Sequence, residues 1–187
     1  VTNPDALRHL VGIAAIAGPI LHSATDVVEI LQGGFSPALL WANYVAFLPM
    51  PWLLLGIYAV HPLRPAVVGL VGAVLYGVAF TYFAHTTLVA LAGDIPTYAD
   101  LWSTLGPAYT VHGGLMVVGG LLFAGAAGRT GWLPRAALAL FAGGIVVNLG
   151  FALVPLPEIL QTLGTALRNA GLVVMGFKVL ASARKAA

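Results

Sequence analysis

Apolar residues run along this chain in six long blocks. Each is close to the ~20 residues an α-helix needs to cross ~30 Å of hydrocarbon. The blocks cover 8–31, 38–60, 65–91, 107–128, 133–154 and 158–181. Turn chemistry separates them: Gly33-Gly34 with Ser36-Pro37, His61-Pro62 with Pro65, Gly106-Pro107, Gly131 with Pro134, and Pro155 with Pro157. Six such runs in succession leave no polar partner that would bury them in water. The pattern predicts an all-α fold, a polytopic membrane bundle of six transmembrane helices forming one domain over 1–187. Pro49-Met50-Pro51 in the second block and Gly18-Pro19 in the first predict bent helices, because proline removes a helix hydrogen bond.

Small residues recur every fourth position at Gly69, Ala73, Gly77 and at Gly120, Ala124, Gly128. Such stripes let helix backbones approach closely, and they predict a central place for the fourth span. The 97–105 stretch predicts a short interfacial helix with Tyr98 and Trp102 at headgroup level, as an aromatic anchor or as a lid.

Composition agrees with the pattern. Of 187 residues, 60% are hydrophobic and only 7% are charged, against about 25% charged in a soluble domain. Net charge is +2 with the basic residues scattered, so nucleic acid is not an expected partner. The absence of cysteine excludes disulfides, thiolate metal sites and cysteine nucleophiles. The first apolar run is too long and too interrupted for a cleavable signal. The sequence opens on Val1 rather than Met, and a short preceding leader is expected.

Charge also orients the bundle. Arg8, Arg64, Arg129, Arg135, Lys178, Arg184 and Lys185 fall at one set of span ends, and the opposite loops hold no Lys or Arg. Both termini are therefore expected in the cytoplasm.

The candidate chemistry lies toward the other face. His22, Asp26 and Glu29 follow i, i+4, i+7 spacing and share one face of the first helix. Charge inside hydrocarbon costs several kcal/mol unless paired or wetted, so such a stripe is expected to face a pocket. At a rise of ~1.5 Å per residue, His22 lies about 13 Å and Asp26 about 7 Å below the outer end. His85 and Tyr82 of span three, Tyr109 and His112 of span four, Asn43 and Tyr44 of span two, Asn148 of span five and Thr165 of span six fall at similar depths. Arg168 sits near the midplane, where a buried pair with Asp26 or Glu29 is expected. The inner half of every span is nearly all Val, Leu, Ala and Gly. This asymmetry predicts a pocket open to the outer side and closed below.

Four functions are consistent with that set. The first is an intramembrane enzyme doing acid–base chemistry on a lipophilic, isoprenoid-like substrate, by isomerisation or cyclisation. Asp26, His22, His85, His112 and Glu29 are its candidate catalytic groups. Trp41, Asn43, Tyr44, Tyr82, Trp102, Tyr109, Asn148, Thr165 and Arg168 would bind substrate. The second is a divalent metal site of His22, His85, His112 and Asp26, or a haem b held between His85 and His112. The third is a small proton-coupled transporter, and the fourth is a subunit of a larger membrane complex. The expected partner is a membrane lipid or lipophilic small molecule, and oligomerisation is left open.

With a His late in its first span (His22) and Gly131-Trp-Leu-Pro-Arg135 entering its fifth, the chain resembles a diffuse group of small six-helix bacterial inner-membrane proteins of unassigned function. That resemblance implies a six-helix fold and a multi-pass location in the bacterial inner membrane. It implies no activity.

Overall fold

The computed structural model describes residues 4–61, 63, 65–153 and 158–183. Pro62, Arg64, position 154, Pro155, Pro157, Arg184 and Lys185 lie outside the described residues. Eight helices are described: α1 (Pro4–Gln32), α2 (Pro37–Phe47), α3 (Met50–Val60), α4 (Ala66–Ala92), α5 (Tyr98–Leu105), α6 (Pro107–Thr130), α7 (Arg135–Leu153) and α8 (Glu158–Ala183).

Helices α2 and α3 form one broken rod, as the proline pattern predicts. Pro51 has no amide hydrogen, and its ring excludes the carbonyl four residues back, at Phe47, where α2 ends. α1 behaves differently and continues through Pro19 as one 29-residue helix. The chain is not broken there; instead Gly18 lets the Pro49 ring and the Ala46 carbonyl approach α1 closely.

Five stretches are long and apolar enough to cross a membrane: Asp5–Gln32, Pro37–Val60, Ala66–Ala92, Pro107–Thr130 and Leu160–Ala183. They mark a multi-pass membrane protein. α7 offers a shorter apolar run, Arg135–Gly150, among the described residues.

The rods pack in chain order around a ring. α1 lies against α2 and α3, these against α4, α4 against α6, α6 against α7, α7 against α8, and α8 closes on α1. The fourth span is therefore one wall of the ring and not its centre.

The α4–α6 crossing is made by Gly72 and Gly119, backbone against backbone. A Cβ at Gly119 would stand 2.6 Å from the Tyr76 nitrogen and 2.8 Å from the Gly72 carbonyl oxygen. The predicted small-residue stripes serve other seams: Gly77 meets Pro51 of α3, and Gly120 meets Ile145 and Phe141 of α7.

Tyr76, Phe80, Phe123, Phe141, Met50, Leu54 and Leu172 fill the ring and are fully buried. At the end of the bundle bearing Arg8, Arg129 and Arg135, His61 stacks on Trp132 at 4.4 Å between ring centroids. Lys178 Nζ lies 5.9 Å from the Trp132 ring centre. Burial, reinforced by the Lys178 charge, holds the His61 imidazole below its ordinary pKa.

Candidate functional site

The opposite end of the ring is hollow. A cavity of about 310 Å³ lies among α1, α2, α4, α6, α7 and α8, under α5.

Local chemistry puts α5 there. Thr97 caps the helix by accepting from the Asp100 amide at 3.2 Å and donating to its carboxylate at 2.6 Å. Gly106, at φ +53, ends it in a conformation that favours glycine. The Phe35 amide donates to the Pro96 carbonyl at 2.7 Å, tying the α1–α2 turn to the loop before α5. Leu101 is buried in a small apolar cluster with Leu40 and Ala90, and Leu105 packs against the same cluster, so α5 docks by its inner face. Tyr98, Leu101 and Trp102 line the cavity. The short predicted helix is therefore part of the site and not only an anchor.

The floor is a chain of side chains from α1 and α8. Asp26 Oδ1 lies 3.5 Å from His22 Nε2. On the other side of the same ring, His22 Nδ1 meets Arg168 Nη2 at 3.4 Å and Asn169 Nδ2 at 3.3 Å. Guanidinium and amide nitrogens only donate, so Nδ1 must accept and the His22 proton sits on Nε2, facing Asp26. The Asn169 amide is fixed the same way, because its Oδ1 accepts from Arg168 Nε and Nη2, both at 3.4 Å. Its Nδ2 also donates to Ser23 Oγ at 3.0 Å.

Arg168 is only 3% exposed. Its Nη1 points at the Met116 sulfur at 3.0 Å, and its Cζ lies 5.2 Å from the Phe80 ring centre. The backbone beneath it is held by Gly144, whose missing side chain admits the Arg168 amide and the Gly164 carbonyl.

The expected ion pair of Arg168 with Asp26 or Glu29 is not formed. The His22 imidazole stands between guanidinium and Asp26, and the atoms Arg168 touches are all neutral. Asp26 reaches toward the cavity mouth because it lies one turn further along α1, and Glu29 lies two turns along.

Of the predicted groups, His22, Asp26, Glu29, Asn43, Trp102, Tyr109, Asn148, Thr165 and Arg168 line this one cavity. Asn43 accepts from Thr25 at 3.3 Å, and Asn148 donates to Thr165 at 3.3 Å. Trp41, Tyr44, Tyr82, His85 and His112 do not line it. Trp41 is 54% exposed, on the outer face of α2. Tyr44 packs edge-on to Trp41 and against the core.

His112 is buried behind Phe83 and Tyr109. Its Nδ1 donates to the Ala108 carbonyl at 3.0 Å, and Nε2 has no partner among the described residues. Tyr82 covers it at 4.4 Å between ring centroids. His85 is exposed on the outside of α4, 5.9 Å from the same Tyr82 ring. His85→Ala is thus expected to change stability by no more than about 0.5 kcal/mol. It should also leave any activity of the cavity unaltered; melting and turnover curves of the variant check both.

The metal and haem readings lose their ligand sets to this geometry. Among the described residues, no three of His, Asp and Glu converge on a point that would hold a metal ion. The His22, His85, His112 and Asp26 set is therefore not assembled. The proposed axial pair fares no better, since the Tyr82 ring packs on both imidazoles.

Gln161 and Thr162 line the cavity although the sequence reading passed over them, and Tyr98, expected as an anchor or lid, lines it too. Gln161, Thr165 and Arg168 repeat on α8 the i, i+4, i+7 spacing of His22, Asp26 and Glu29 on α1, and that pattern could have found Gln161. Burial pushes the Tyr98 phenol above its ordinary pKa, opposed by its contacts with Tyr109 and Gln161. Comparison with known proteins finds no matching family model, no matching curated protein and no matching solved structure.

Proposed function

We propose that this chain is a membrane-embedded enzyme that moves a proton on a lipophilic, isoprenoid-like substrate. The observation that carries the reading is the line Asp26–His22–Arg168 on the floor of a cavity whose wall also includes Phe47, Phe80, Phe83, Leu101, Trp102 and Val117. Asp26 is the acid–base group. His22 orients it through Nε2–H and couples it to the positive charge behind. The aromatic and aliphatic walls hold the apolar body of the substrate. Isomerisation needs only that a proton leave one carbon and return to another, so it balances with no co-reactant.

The reading has an orientation. Arg8, Arg129, Arg135 and Lys178 lie at the end away from the cavity. Positive charge on the cytoplasmic side would place the cavity toward the outer face and the termini inside. α7 would be the sixth span, and the address a bacterial inner membrane. Transport is the weaker alternative. Below His22 the ring is filled by fully buried residues such as Tyr76 and Phe141, and that filling disfavours a through-route.

The test is proton exchange. Purified protein in nanodiscs, supplied with isoprenoid lipids in heavy water, is expected to place deuterium on substrate carbon. Asp26→Asn should lower that rate by about 100-fold or more. His22→Phe, which removes the orienting group, should also lower it. Undiminished exchange in Asp26→Asn would remove the acid–base reading.

A further inference from the structure

Within that reading, which this inference deepens, the floor of the cavity specifies the head of the ligand. We propose that Arg168 seats a single negatively charged oxygen head, a carboxylate or a phosphodiester, at the buried end of an otherwise apolar ligand.

Arg168 is a cavity wall residue that water barely reaches, at 3% exposure. A cation in that setting is costly unless a counter-charge touches it. None does among the described residues. Its contacts are a thioether sulfur, an amide oxygen, the lone pair of a neutral imidazole and the face of Phe80.

Three of those hydrogen bonds are 3.4 Å long, at the weak end for N–H donors. Sulfur is a weak acceptor. A guanidinium has five N–H groups in a planar fork matched to an oxyanion, and Nη1 has one hydrogen beyond its sulfur contact. The site therefore offers a preformed anion seat whose protein partners are replaceable.

The fold keeps the seat in place. Gly144 lets α7 and α8 touch at the Arg168 backbone, and Asn169 grips the head of the same side chain from the next residue. The number of charges follows from the rest of the wall. One guanidinium offsets one negative charge, and a second would face the Asp26 carboxylate one turn nearer the mouth. The tail then runs upward along Phe47, Phe83 and Trp102, beneath α5.

Head-group selectivity tests this without requiring turnover. A long-chain fatty acid, the matching alcohol and the matching amine are titrated into protein in nanodiscs of zwitterionic lipid. Binding is read from Trp102 fluorescence after Trp41, Trp52 and Trp132 are changed to Phe. The acid is expected to bind at least about 10-fold more tightly than the alcohol or the amine. Arg168→Met should bring the acid down to the level of the alcohol, and Arg168→Lys, which keeps charge but loses the fork, should fall between.

Equal binding of the three heads, tightest binding of the amine, or an acid preference that survives Arg168→Met would each overturn the proposal. The head-group order in unaltered protein decides the matter even if a variant fails to fold. Repeating the titration in discs containing phosphatidylglycerol identifies the source. Competition supports a lipid phosphodiester, and undiminished acid binding supports a free lipophilic acid. Because Asp26→Asn should keep the acid preference, loss of proton exchange and loss of selectivity report separately on the enzyme reading and on this one.

Discussion

Gly119→Leu is expected to leave little assembled bundle. The α4–α6 crossing is close, and at Gly119 it is backbone against backbone. The first Cβ would meet the Tyr76 amide and the Gly72 carbonyl, neither of which can rotate away, and then the Leu75 side chain at 2.9 Å. Overpacking in a core usually costs about 1–3 kcal/mol, and more when backbone must shift. Here the whole of α6 would have to move off α4. That would open Tyr76, Phe80 and Phe123, which now lie fully buried. In membranes such small-residue contacts supply much of the helix association, since lipid is as apolar as the side chains.

Size-exclusion chromatography and thermal melting of detergent-purified protein measure the effect. Gly125→Leu is the control, because nothing lies within 4 Å of a Cβ there. Gly125→Leu should elute and melt like unaltered protein. A Gly119→Leu protein that did the same would show that the crossing tolerates separation.

The second expected result follows from the missing counter-charge at Arg168 among the described residues. Arg168→Met should match or exceed the thermal stability of unaltered protein, while binding at the cavity floor is lost. Removing the guanidinium removes a desolvation penalty of several kcal/mol that no touching carboxylate offsets. A methionine stem fills much of the same space between Phe80 and Met116. The cost is the Asn169 carbonyl oxygen, which loses its donors, at about 1–3 kcal/mol. His22 keeps the Asn169 amide as donor. The balance is neutral or favourable.

Arg168→Ala should differ by leaving a void, at about 2–5 kcal/mol for a loss of that size. Adding Asp26→Ala should not rescue it, because no direct pair exists to unbalance. Melting temperatures of the three variants in nanodiscs decide the point. A fall for Arg168→Met as deep as for Arg168→Ala would mean that the charge itself holds the fold.

The sequence carried the fold class well because its signal is redundant. Five long apolar helices, the proline break between α2 and α3 and the capped α5 each follow from short-range chemistry that leaves few alternatives. The stripe of His22, Asp26 and Glu29 was legible for the same reason: one helix fixes the angle between its own side chains.

Rotation between helices was not legible. His85 and His112 match the depth of Asp26, but depth says nothing of azimuth. His85 faces outward and His112 is walled off by aromatic rings. The glycine stripes announced close approach, as Gly77 makes against the Pro51 backbone, but not which helices meet. Many glycines recur at helical spacing in this chain, and only packing decides that Gly72 and Gly119 make the α4–α6 crossing. Arg168 meets His22 and not the expected carboxylate, because an imidazole can occupy the place expected for one.

Closure of the ring by α8 has a consequence for synthesis. The carboxylate and imidazole of the floor enter the membrane with α1, and the guanidinium and amide that complete it arrive seven helices later. Until α8 docks, a growing chain holds half of the polar floor, with the α1 stripe facing an unfinished interior. A protein stopped after α7 would keep Asp26 and His22 and lack Arg168 and Asn169 behind them.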